Sequence, residues 1–139
     1  MSVRDVGRKA LILGRLLGYA GELETVALES LVPDAARDLP LARFLQRLEA
    51  FDEEWDRRVR AAQAKGGVLR YVATVTRRRI SVGLETVEAA SSFAALRGTD
   101  NQVVFTTMRY AANPLVITGP GAGPAVTAAG VLNDMLELA

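Results

Sequence analysis

Apolar positions recur at three- and four-residue spacing from the first residues, and the pattern predicts a helix over 5–19, closed by Gly21. The segment 24–32, containing TVALESLV, reads as a strand ended by Pro33. Helical spacing resumes over 41–51 and 52–65, stopped by Gly66-Gly67. Beyond that point the pattern turns strand-like. Segments 68–76 and 80–87 flank Arg77-Arg78-Arg79 as a hairpin would, 91–97 reads as a short helical turn, and 103–110 and 115–118 are further strands. The last element is a helix over 126–138, entered through Gly119-Pro120-Gly121-Ala122-Gly123. A helix, a strand, helices and then mostly adjacent strands predict an α+β fold: a largely antiparallel mixed sheet with helices on one face.

Composition narrows the chemistry more than the fold. The chain has 139 residues, half of them hydrophobic, enough to bury a core as a soluble globular protein. It contains neither cysteine nor histidine, which removes disulfides, thiolate nucleophiles and the commonest neutral-pH base and metal ligand. No metal site is expected. Of 17 basic residues only Lys9 and Lys65 are lysines, the cation type that can exchange a proton at working pH. A net charge of +1 gives no general pull toward nucleic acid or membrane. The arginine triplet lacks interleaved aromatics and reads as a solvated turn. The dense charge around Glu53, Glu54, Asp56, Arg57, Arg58 and Arg60 reads as a solvent face laced with i,i+4 pairs. No signal-peptide pattern opens the chain and no apolar run reaches membrane-spanning length, so a cytoplasmic location is expected.

Two constellations could carry chemistry. In Asp5-Val-Gly-Arg-Lys9 the carboxylate and ammonium stand at i and i+4, neighbours on a helix. Such a pair is commonly no more than a surface ion pair. Here Arg4, Arg8 and Arg15 mark one side of the wheel, whereas Asp5 and Lys9 fall in the arc of Val6, Ile12, Leu13, Leu16 and Leu17. Charges in an apolar arc are desolvated together or border a cleft, which makes the pair a site candidate. The second constellation is Leu115-Val-Ile-Thr-Gly-Pro-Gly-Ala-Gly-Pro-Ala-Val-Thr, a strand passing through a glycine-rich turn into a helix N-terminus. It can be a tight junction with glycines for packing, or a place where backbone approaches a ligand closely. It is not the complete dinucleotide fingerprint.

Together these segments resemble homoserine dehydrogenase. Asp5-Val-Gly-Arg-Lys9 is similar to that family's DVARK helix start, with Gly7 where alanine is usual. The segment PLVITGPGAGPAVTAAGVLND, residues 114–134, resembles its closing signature. Residues 67–72, 93–98, 100–101 and 107–110 follow in the family's order. The resemblance covers essentially the whole chain and extends to the bifunctional aspartokinase–homoserine dehydrogenases.

It implies NADP- or NAD-dependent interconversion of L-homoserine and L-aspartate 4-semialdehyde, in the biosynthesis of threonine, methionine and isoleucine. Lys9 would be the proton donor and Asp5 a substrate-binding residue, with Gly121, Ala122 and Gly123 beside the cofactor. The resemblance also implies a homodimer and an N-terminal nucleotide-binding domain that these residues do not include. On that expectation residues 1–122 form the substrate and dimerisation region. Residues 123–139 form a helix completing the nucleotide-binding domain, and the chain by itself is inactive. A reading from another class remains beside it: a non-catalytic oligomerisation or ligand-binding module on the same scaffold.

Overall fold

The first helix lies on the sheet through its smallest residues. In the computed structural model, which describes residues 3–138, α1 (Val3–Leu16) turns Gly7, Ala10, Leu11 and Gly14 inward. These positions share one face by helical spacing. Gly14 has no room for a side chain because the δ-methyl of Ile80 fills that space. The close approach buries Ala10 and Leu11 with Val26, Ile80 and Val82, and Val6, Tyr19, Leu23, Leu28, Tyr71 and Val75 pack around them. Each large aliphatic group so buried contributes roughly 1.5–3 kcal/mol.

The helix ends at Gly18, not at Gly21 as the sequence pattern predicts. Gly18 takes φ 90°, its N–H donates to the Arg15 carbonyl (3.0 Å) and the Tyr19 N–H to that of Gly14 (2.8 Å). That pairing is the glycine-terminated closure of a helix. The Arg77 Nε adds a hydrogen bond to the Leu17 carbonyl, 2.9 Å away, so one arginine of the triplet anchors the helix end. Gly21 serves packing instead: a Cβ there would stand 2.5 Å from the Tyr19 hydroxyl and the Thr25 Oγ1.

The predicted strand over 24–32 shrinks to β1 (Ala27–Leu28). Local hydrogen bonds outcompete the ladder on both sides. Leu23–Thr25 is a 3-10 turn in which the Thr25 hydroxyl donates to the Glu22 carbonyl (2.7 Å). Beyond β1 the Ser30 Oγ accepts the Val32 N–H (3.1 Å).

The hairpin forms as expected, from β2 (Gly67–Val75) and β3 (Ile80–Glu88), antiparallel with Val75 opposite Ile80. β1 joins β3 in parallel, giving the order β1-β3-β2. In that register Tyr71, Ala73 and Val75 stand opposite Leu84, Val82 and Ile80, on the face that carries the core.

The middle helices are α2 (Leu41–Gln46), a 3-10 stretch Leu48–Phe51, and α3 (Asp52–Ala64). The charged face of α3 carries the expected pairs, Glu54–Arg58 at 3.0 Å and Asp56–Arg60 at 3.5 Å. Arg58 also lies over the Trp55 ring and 3.6 Å from Glu29. Glu29 in turn accepts the Leu84 N–H through Oε2 (3.1 Å), and the Tyr71 hydroxyl donates to its carbonyl (2.6 Å). Gly83 admits this carboxylate, since a Cβ there would stand 2.7 Å from its Oε2. The helix ends where Gly66 takes φ 71°.

Residues 1–89 form one compact unit and residues 90–139 another. The second holds the antiparallel pair β4 (Asp100–Phe105) and β5 (Leu115–Pro120), followed by α4 (Pro124–Glu137). Segment 91–97 is a succession of single turns, each N–H bonding three residues back, and not a helix. β4 begins three residues earlier than the pattern predicts and stops at Phe105. Beyond it the Thr107 Oγ1 accepts the Tyr110 N–H (3.1 Å) and folds that segment into a turn. Among the described residues of this unit none is buried. No helix among the described residues is long and apolar enough to cross a membrane.

Candidate functional site

The Asp5–Lys9 pair forms as its spacing predicts. Lys9 Nζ stands 3.2 Å from Asp5 Oδ2, with the two side chains 65% and 45% exposed. In high dielectric such a pair contributes little to stability, about 0.2–1 kcal/mol. Its surroundings are less ordinary. Ile12, Leu13 and Leu16 continue the stripe along α1, at three, four and seven residues from Lys9. Ile12 is 62% and Leu16 80% exposed. These large apolar residues share the pair's side of the helix, as the helical wheel predicts. That side, however, is not the one packed on the sheet. The core side is the strip of small residues, so a charged pair heads an apolar stripe that the described residues leave open.

The glycine-rich segment is the second candidate. β5 runs into it, and α4 starts at Pro124, directly after Gly123 at φ 149° and ψ 151°. This is backbone that only glycine adopts without strain. The Gly123 carbonyl accepts the Thr127 N–H (3.0 Å), the first intrahelical bond. A helix start leaves its first N–H groups without intrahelical partners, a setting that favours anionic or polar groups. Gly119 and Gly123 have nothing within 4 Å of where a Cβ would stand, so bare backbone meets open space there. Gly121 differs: its side-chain volume is filled by the carboxamide of Asn101, and its N–H donates to the Thr99 carbonyl (3.0 Å). The glycines of the turn therefore differ in their surroundings. Gly121 serves internal packing, while Gly119 and Gly123 leave backbone accessible. Ala122 between them is exposed.

The sequence places Asn101 in a motif of the family resemblance but gives neither it nor Thr99 a part in the turn. Their part depends on the β4–β5 register, which sets Asn101 opposite Gly119 and Asp100 opposite Pro120. The available signal was an Asp-Asn pair at the head of one strand and glycines at the end of the next. The other lysine, Lys65, is exposed at the C-terminal end of α3, outside both constellations.

The homoserine dehydrogenase family model matches residues 1–136. The chain is 43% identical over 141 residues to the chloroplastic bifunctional aspartokinase/homoserine dehydrogenase 1 of Zea mays, covering 99% of this chain and 15% of that protein. To the homoserine dehydrogenase of Paracoccidioides brasiliensis it is 41% identical, over 96% of this chain and 37% of the relative. For that of Saccharomyces cerevisiae the values are 39%, 97% and 38%. Among solved structures, a Candida auris protein of unknown function superposes with a TM-score of 0.87 at 40% identity, over 96% of this chain and 38% of its own. An Archaeoglobus fulgidus chain at 24% identity and TM-score 0.68 shares the fold, with 96% of this chain and 35% of that one covered. The chain therefore spans well under half the length of the relatives it matches.

Proposed function

Because the chain belongs to the homoserine dehydrogenase family, we propose that it is the substrate-handling portion of an NAD(P)-dependent oxidoreductase interconverting L-homoserine and L-aspartate 4-semialdehyde. In this reading the enzyme serves the biosynthesis of threonine, methionine and isoleucine, in the cytoplasm and as a homodimer. In this reading a nucleotide-binding domain, lying in the part of the homoserine dehydrogenases that these residues do not match, completes the enzyme. Residues 1–122 handle substrate and dimerisation, and the helix after Gly123 packs on that domain. The exposed Val131, Leu132, Met135 and Leu136 of α4 support this, because a helix apolar on several sides is stable in water only when covered.

The observation that carries the reading is the Asp5–Lys9 pair at the head of the open apolar stripe. Reduction of the aldehyde needs a hydride at carbon and a proton at the oxygen. Lys9 gives that proton from Nζ as negative charge develops on the oxygen, and its own charge stabilises the oxygen until transfer is complete. Asp5 holds the ammonium in place and helps seat the substrate beside it. Once a partner domain covers Ile12, Leu13 and Leu16, water leaves the stripe and the Lys9 charge acts in a lower dielectric. The turn fits a nicotinamide nucleotide, since Gly119 and Gly123 leave no side chain between backbone and ligand. Gly121, Ala122 and Gly123 would lie beside it, and when bound it supplies the hydride.

The test is a chimera in which this chain replaces the matching segment of the Paracoccidioides brasiliensis enzyme. The chimera should turn over homoserine with NADP or NAD, while the 139-residue chain by itself should not. Lys9→Met should lower kcat by at least about 100-fold, the scale of a lost proton donor, with assembly unchanged by sedimentation. A Lys9→Met chimera as active as its parent refutes the role.

A further inference from the structure

The glycine turn is wedged from the neighbouring strand at one position. In the β4–β5 register Asn101 stands opposite Gly119, and Gly121 is its diagonal neighbour on the same face. With no side chain at 119, the Asn101 carboxamide is free to lie across the partner strand. It occupies the volume that a Cβ at 121 would need. Of the three glycines in the turn only Gly121 is filled in this way; Gly119 and Gly123 face open space. The same strand braces the base of the turn. Gln102 Nε2 donates to Thr118 Oγ1 (2.9 Å), and Gln102 Oε1 accepts from Ser92 Oγ (2.8 Å). The Thr99 carbonyl holds the Gly121 N–H from the other end (3.0 Å).

We propose that Asn101 is a positioning residue: its carboxamide, lodged at Gly121, fixes the path of the backbone through Ala122 and Gly123 and thereby the affinity for the nicotinamide nucleotide. The identity of the ligand rests on the function proposed above, whereas the wedge itself does not. Gly123 takes its backbone conformation with no side chain to hold it, and glycine restricts the backbone less than any other residue. A rigid planar group on the adjacent strand supplies the missing constraint. Removing it leaves contacts to the ligand intact but leaves their geometry unset, and the ordering is then charged to binding.

Two measurements test this. The first is amide hydrogen exchange on the 139-residue chain, read at residues 119–123 against the amides of α1. Asn101→Ala should speed exchange in the turn by about tenfold, a local opening, with α1 unchanged. Asn101→Asp, which keeps the planar shape, should stay near the parent. Unchanged exchange in Asn101→Ala overturns the wedge. The second is steady-state kinetics of the chimera, where Asn101→Ala should raise KM for NADPH about fivefold with kcat within about twofold. A fall in kcat at unchanged KM overturns the positioning role. If the unsubstituted chimera fails to turn over, the proposed function fails, and the exchange result still decides whether Asn101 holds the turn.

Discussion

Gly14→Ala sets two effects of similar size against each other. In an isolated helix alanine gains about 1 kcal/mol over glycine. On this helix the new methyl would collide with the Ile80 δ-methyl, with Ile80 Cγ1 at 3.3 Å and Tyr19 Cβ at 3.4 Å. Ile80 is 0% exposed, so its end cannot swing into solvent, and overpacking of this kind costs roughly 1–3 kcal/mol. The net expectation is a loss of about 1 kcal/mol. The partner variant Ile80→Val removes the obstructing methyl and alone costs about 0.5–1.5 kcal/mol. With that methyl gone, the helix gain returns, so the double variant should be no less stable than Ile80→Val alone. The two changes should therefore couple by about 1–2 kcal/mol, within the range for contacting pairs. Urea unfolding followed by far-ultraviolet circular dichroism, with all four proteins compared at equal slope, measures the cycle. Gly7→Ala is a control, because only the flexible ends of half-buried Leu28 (2.8 Å) and Leu23 (3.3 Å) stand in its way. A stabilised Gly14→Ala, or strict additivity in the double variant, refutes the close-approach account of α1.

Other expectations follow from single contacts. Arg77→Met removes the hydrogen bond to the Leu17 carbonyl and should cost about 0.3–1 kcal/mol, read as faster amide exchange in the last turn of α1. Burial, with the Glu29 charge second, raises the Tyr71 phenol above 10.0. A raised folded-state value means that this part of stability is complete below about pH 10 and is lost as pH climbs through the folded value. Tyr71→Phe should flatten the alkaline loss of urea midpoint, and an identical slope in both proteins would argue against it. Leu136→Glu, at a position 66% exposed, should leave the chain's stability within about 0.5 kcal/mol. In the chimera the same change should impair assembly with the nucleotide-binding domain, measured by sedimentation.

Much of this protein is legible along the chain because its decisive signals are local. The β2–β3 hairpin needs only two apolar runs and a polar turn, and the Asp5–Lys9 pair only four residues of helix. The glycine stop at Gly66 and the glycine entry to α4 follow from backbone conformations that no other residue adopts cheaply. The order of short motifs likewise carries the family without any coordinates.

What required the tertiary structure was every choice between competing partners. A helical wheel ranks faces by hydrophobicity, yet α1 packs through Gly7, Ala10, Leu11 and Gly14, because small residues let the backbone come close to Ile80. The segment 24–32 has the composition of a strand, but Thr25 and Ser30 bond locally and leave two residues for the sheet. Asn101 reaches Gly121 only through a register set by pairing across the chain. Local propensity is a property of neighbours in sequence; which surfaces meet depends on shape and pairing at a distance, and these exist only after the chain has folded.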